Sequence, residues 1–204
     1  MPAKPPDPAK ADQQPATLDE CRRCELWRDA TQPVGGQGAR RAKLMLVGEQ
    51  PGDQEDLAGK PFVGPAGALL DDALEAAGID RREVYVTNAV KHFKWELRGK
   101  RRMHKTPAQK EVAACHYWLE AELAAVQPAV IVALGGTALK SVLQSGKVTL
   151  KEHMEHPVQH EGRWVVATYH PAFALRVPDR EARAQARAAI VSALQQAKRL
   201  AEGA

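Results

Sequence analysis

Four short apolar runs, LMLVG (Leu44 to Gly48), EVYVTN (Glu83 to Asn88), AVIVALG (Ala129 to Gly135) and WVVATYHP (Trp164 to Pro171), are separated by stretches with helical spacing. Such runs, with little polar alternation, suit strands buried on both faces. Alternating with helices, they predict an α/β chain with a three-layer αβα architecture around a central four-stranded parallel sheet. In a sheet of that kind, ligands bind beyond the carboxyl ends of the strands. Three strand ends therefore become candidates: Glu49-Gln50-Pro51-Gly52, Asn88, and His170-Pro171.

The helices follow from local signals. TLDE at Thr17 to Glu20 reads as a capping box opening a helix through CRRCELWRD. AGALLDDALEAAG, Ala66 to Gly78, has helical apolar spacing and ends on a capping glycine. Thr106 and Pro107 predict a helix from Pro107 to about Val126, with Thr106 as N-cap. GTALKSVLQ follows the third strand, and a final helix spans Arg180 to Ala201. The stretches Glu49 to Pro65 and Lys91 to Lys105 read as loops.

With 204 residues, an apolar content of 44% and four Trp, one domain is expected over residues 17–204. MPAKPPDPAKADQQPA, residues 1–16, reads as a disordered tail. No apolar run approaches the roughly 20 residues of a membrane span, and the first residues lack the apolar segment of a signal peptide. A cytoplasmic, membrane-free protein is expected. The net charge of +4 is unevenly placed: Lys91 to Lys105 holds seven Lys or Arg against one acid, Glu96. A basic stripe of this kind attracts a phosphate backbone, because each neutralised phosphate releases condensed counterions.

Three cysteines, Cys21 and Cys24 as CxxC and Cys115 further on, argue against a disulfide framework. Three thiolates and a histidine could hold zinc or an iron–sulfur cluster, and the sequence chemistry does not separate the two.

GEQPGDQEDLAGKPFVGPAGALL, VYVTNAVKHFK and TYHPAFALR resemble the signature segments of the uracil-DNA glycosylase superfamily, in its iron–sulfur branch known as family 4. The insertion KRRMHK resembles the X-type (UdgX) members, which excise uracil and stay covalently attached to the DNA. The resemblance implies a [4Fe-4S] cluster on Cys21, Cys24 and Cys115, with His92 standing where family 4 usually has a fourth cysteine. It implies uracil-containing DNA as the partner, single strands being preferred because an extruded base must otherwise be unstacked. A monomer is expected.

The resemblance also assigns roles. Phe62 stacks on the uracil, Asn88 hydrogen-bonds its edge, and Gln50 and Gly52 lie against the base or deoxyribose. His170 donates to the departing uracil anion, the kind of stabilisation that supplies much of a glycosylase's acceleration. His104 is the nucleophile that bonds the sugar C1′, with Glu49 orienting it and taking its proton. Lys100, Arg101, Arg102 and Lys105 bind backbone phosphates and oppose a further positive charge on the imidazole. Ala172 stands where the family often has Ser, and His153, His156 and His160 are expected on the surface. Two other readings compete: a recycling family 4 enzyme, and a noncatalytic metal-stabilised nucleic-acid-binding protein. The noncatalytic reading would gain if Glu49, Asn88 and His170 were remote from one another.

Overall fold

The computed structural model describes residues 15–203, so residues 1–14 of the expected tail lie outside the described residues. Four parallel strands form the centre: β2 (Leu44–Gly48), β3 (Tyr85–Asn88), β6 (Val130–Leu134) and β8 (Arg163–Thr168). Two antiparallel edge strands extend the sheet to six, β1 (Gln37–Gly38) beside β3 and β7 (Val158–His160) beside β8, in the order β1-β3-β2-β6-β8-β7. The expected four parallel strands are thus the core of a wider sheet. Two- and three-residue strands are too short to show a pattern in sequence.

Each face of the sheet carries its own apolar core. On one side, Leu46, Val86, Val132 and Val166 pack against α2 (Pro65–Ala76), α6 (Pro171–Arg176) and α7 (Arg180–Glu202). On the other, Met45, Val47, Ile131 and Val165 meet α3 (Gln109–Val126) and α4 (Gly136–Val142). That is the three-layer arrangement expected of buried parallel strands.

Four local expectations are corrected. TLDE opens no helix: only a 3-10 turn, Glu25–Arg28, follows it. Arg22 donates to the carbonyls of Asp19 and Cys21, and the first of these would otherwise accept a helical N–H. The Glu49 to Pro65 loop contains α1 (Asp53–Ala58), closed by Gly59 at φ +67°. Its Glu55 carboxylate accepts the N–H groups of Gly52 and Gly64, at 3.1 and 2.8 Å, tying both ends of the segment. α3 begins after Ala108 and not Thr106, because the Glu111 carboxylate takes the Ala108 N–H at 2.6 Å. The fourth strand stops at Thr168, and His170 caps α6, its Nδ1 accepting the Ala172 N–H at 3.1 Å.

The basic loop is also corrected, to a hairpin of β4 (Trp95–Arg98) and β5 (Arg101–His104) turning through Gly99 (φ +62°) and Lys100. Cross-strand pairing sets Trp95 opposite His104 and Leu97 opposite Arg102. The remaining helix, α5 (Leu150–His153), is a single turn capped by Thr149. Among the described residues no helix is long and apolar enough to cross a membrane.

Lys91, expected in the phosphate-binding stripe, is fully buried. Its ammonium donates to Thr87 Oγ1, the Asn88 carbonyl and Glu122 Oε2, at 2.6, 2.8 and 2.7 Å. Every ammonium proton is used. Replacing Lys91 with Met would leave the Glu122 carboxylate without its cation, and losing one partner of a buried pair costs about 3 to 5 kcal/mol. Urea denaturation should show the loss, and Lys91→Met with Glu122→Gln should recover part of it.

Candidate functional site

Beyond the carboxyl ends of the central strands lies a cleft of about 690 Å³, whose walls include Glu49, Gln50, Gly52, Phe62, Asn88, His104 and His170. All the residues expected to bind substrate or carry chemistry border this one cavity. Glu49 and Gln50 leave the end of β2, Asn88 ends β3, and His170 begins α6 after β8. Parallel strands put these ends on the same side, so three distant segments converge.

Two glycines seat Phe62 on the cleft wall by lacking a side chain. A Cβ on Gly48 would come within 2.8 Å of Phe62 Cζ and collide with Asn88 Oδ1. A Cβ on Gly67 would strike the Phe62 carbonyl. Phe62 itself adopts φ +56°, a left-handed conformation that a bulky residue keeps only when its surroundings enforce it. Its ring is buried and lies 6.0 Å from the His170 ring at 25°, so the two aromatic groups form a near-parallel pair on the cavity wall.

His170 is neutral down to strongly acidic pH. Burial pushes its pKa down to about 4, with Arg176 and His104 assisting and Glu49 opposing. Because Nδ1 accepts the Ala172 N–H, the proton sits on Nε2. A neutral imidazole with a fixed N–H donor is suited to stabilising an anion that forms during bond cleavage.

Glu49 has the opposite setting. Burial works to raise its pKa, but hydrogen bonds from His104 and Thr137, with the charges of His104 and His170, hold it below the ordinary carboxylate value. Its Oε1 lies 3.0 Å from His104 Nε2, and its Oε2 accepts from the Thr137 hydroxyl. His104 is half-exposed at the cleft mouth, bordering the cavity and open to solvent.

The hairpin carrying His104 is fastened to the body by residues whose sequence pattern pointed elsewhere. Gln50, expected against base or sugar, borders the cleft but uses its amide on the hairpin base. It accepts from the Lys94 N–H at 3.0 Å and donates to the carbonyls of Lys94 and Lys105, both at 3.1 Å. Arg102, expected on phosphate, turns inward to Asp53 (2.6 Å) and Asp56 (2.7 Å) of α1 and lies over the Phe93 and Trp95 rings. Lys94 pairs with Glu111, and Trp95 Nε1 donates to the Asp29 carbonyl. Lys100 and Arg101 stand exposed at the hairpin tip, and Lys105 lies 3.6 Å from Glu96. Sequence reading missed Asp53, Asp56, Glu111 and Thr137; the acidic DQED run of α1 was the available sign of a partner for an arginine in KRRMHK.

Cys21, Cys115 and His92 are buried, and Cys24 is partly buried. Cys21 and Cys24 both act electrostatically on Cys115, and the Lys91 N–H donates to Cys115 Sγ at 3.2 Å. Burial pushes the Cys115 thiol up to about 12 against the pull of Lys91, and burial raises Cys24 as well. Burial and the Arg22 charge bring His92 down to about 4, and no hydrogen bond holds its ring among the described residues. Among those residues no three Cys, His, Asp or Glu side chains close around a single metal ion. A four-iron cluster takes one ligand per iron and so accepts more widely spaced donors. Neighbouring thiols, two of them buried, and a neutral histidine with both ring nitrogens uncommitted fit that donor chemistry.

A family model described as the uracil DNA glycosylase superfamily matches residues 36–195. A Type-4 uracil-DNA glycosylase of Thermotoga maritima is 38% identical over 167 residues, covering 81% of this chain and 83% of that protein. A Type-4 enzyme of Archaeoglobus fulgidus is 37% identical over 165 residues, covering 78% and 79%. A Type-5 uracil-DNA glycosylase of Pyrobaculum aerophilum is 33% identical over 173 residues, covering 77% and 73%.

The His170 tautomer can be measured. In long-range ¹H–¹⁵N NMR spectra at pH 7 its ring should show a protonated Nε2 and an unprotonated Nδ1, and it should titrate only near pH 4. Protonation of the ring near pH 6.5, the ordinary histidine value, would contradict a neutral imidazole at this position.

Proposed function

The chain belongs to the uracil-DNA glycosylase superfamily, and on that premise we propose that it excises uracil from DNA and then captures the abasic sugar through His104. Supporting the covalent step is the contact of His104 Nε2 with Glu49 Oε1, 3.0 Å apart, at the mouth of the cleft that Phe62, Asn88 and His170 also border. The noncatalytic reading loses its ground, since Glu49, Asn88 and His170 all border that cleft.

A base inside a stacked duplex is out of reach, so the nucleotide is extruded and single strands are the cheaper substrate. Phe62 stacks on the ring, and the Asn88 amide donates and accepts together, as the uracil O4 and N3–H require. Gly52 leaves room beside the base. As the N1–C1′ bond breaks, its electron pair leaves with uracil, and His170 donates from Nε2 to the developing anion. Oxocarbenium charge forms on the sugar beside the Glu49 carboxylate.

In the capture step the His104 Nε2 proton passes to Glu49 and the nitrogen pair forms the bond to C1′. The products are a neutral alkylated imidazole, a protonated Glu49 and the uracil anion, so charge balances. Lys100, Arg101 and Lys105 hold the DNA backbone. Arg102 acts by docking the hairpin on α1, and Gln50 by closing its base. The adduct has no water-accessible exit while the DNA covers the cleft, so one turnover per molecule follows.

Cys21, Cys24, Cys115 and His92 would hold a [4Fe-4S] cluster. When bound it would tie the N-terminal segment, the segment after β3 and α3 together, and the reaction needs no electron from it. Purified protein should carry a brown visible absorbance with about four iron and four sulfide per chain, the stoichiometry of a Cys-type cluster of this class. Cys115→Ser should lose it. Zinc in place of iron would overturn the cluster assignment.

The relatives named Type-4 favour a recycling enzyme, and one measurement separates the two. A single-stranded oligonucleotide containing one uracil should shift to a species stable in SDS with the wild type. His104→Ser should release uracil without the shift. Repeated release by the wild type with no shifted band would leave the recycling reading.

A further inference from the structure

Resting on the reading of Glu49 as the base that orients His104, we propose that Thr137 is a positioning residue for the reaction, its hydroxyl fixing the Glu49 carboxylate so that only one oxygen faces His104. Thr137 lies in the first turn of α4, directly after the Gly135-Gly136 exit from β6. It therefore comes from the central sheet's own carboxyl edge, whereas His104 comes from the appended hairpin. Its hydroxyl donates to Oε2 of Glu49, leaving Oε1 for His104 Nε2 at 3.0 Å.

A carboxylate with one donor can rotate about its last bond and still keep that donor. Two donors from different elements remove the rotation, because each oxygen is claimed from a fixed direction. Threonine is well suited to this, since β-branching limits the rotamers that could swing the hydroxyl away. The titratable groups facing Glu49 are His104 from β5 and His170 at the start of α6, so Thr137 is the donor in the set that does not titrate. A neutral donor fixes the carboxylate without competing for the proton that has to move.

Loss of this hydroxyl has a pH effect of definite sign. A hydrogen bond donated to a carboxylate favours the ionised form, and its removal raises the pKa. Glu49 acts as a base when ionised, so activity is present above its pKa and lost as pH falls through it. Without the Thr137 hydroxyl that acid limb moves to higher pH.

Thr137→Val removes the hydroxyl and keeps the shape; Thr137→Ser keeps the hydroxyl. The Glu49 carboxyl is followed by ¹³C NMR titration of the full-length protein, which needs no turnover, beside the pH dependence of crosslinking to a uracil oligonucleotide. In Thr137→Val the carboxyl midpoint and the acid limb should both rise by about one pH unit, with about a tenfold slower crosslinking at neutral pH. Thr137→Ser should restore both. Superposable titrations for wild type and Thr137→Val would overturn the proposal. If the wild type releases uracil without a crosslink, covalent capture fails and the acid limb of release carries the same test. If Glu49→Gln crosslinks as the wild type does, the role of Glu49 fails and this proposal with it.

Discussion

An ammonium group with no access to water anchors the functional half of the molecule. Lys91 closes its three N–H bonds on Thr87, the Asn88 carbonyl and Glu122, and Glu122 also accepts the Gly36 N–H at 2.8 Å. The segment around it is held equally firmly by its backbone. The Val90 N–H donates to the Glu49 carbonyl, the Val34 N–H to the Lys91 carbonyl, and the Lys91 N–H to Cys115. One buried charge thus sets the chain that leads from the pocket residue Asn88 to Lys91, whose N–H meets Cys115, and on to His92. A charge buried this deeply is tolerable only because it is both paired and fully hydrogen-bonded.

A comparable dependence governs the hairpin. Two strands of four residues are marginal on their own, and the position of His104 therefore comes from outside the hairpin. Gln50 imitates a strand partner, its amide bonding backbone on both arms. Arg102 adds a charged anchor on α1, flanked by two aromatic faces. The nucleophile proposed here is held by the same strand end that supplies Glu49, so base and nucleophile move together if β2 shifts.

Much of this was legible in the chain. The parallel strands announced themselves as apolar runs, and once a parallel sheet is granted, the meeting of Glu49, Asn88 and His170 is a consequence of topology. The cations were less legible. Lys91, Lys94 and Arg102 read as a phosphate-facing stripe because a run of charge holding a single acid is normally solvated. Their partners, Glu122, Glu111 and Asp56, lie in other elements, brought near only by the fold. Gln50 was legible in part: it borders the cleft as expected, but its amide also holds the hairpin backbone, because a polar side chain beside a pocket can face the backbone as readily as the ligand. Thr137 carried no signal beyond following a strand.

The two edge strands bear on how the protein behaves in a concentrated solution. A parallel sheet ending at β3 and β8 would offer rows of unpaired N–H and C=O groups to any passing chain, the template from which sheets grow between molecules. β1 and β7 cover those rows with only two and three residues. Gly38 brings its backbone so close to Val84 that no side chain would fit. Each margin is thereby closed by a strand too short to serve as a new template, and the sheet stops growing at six.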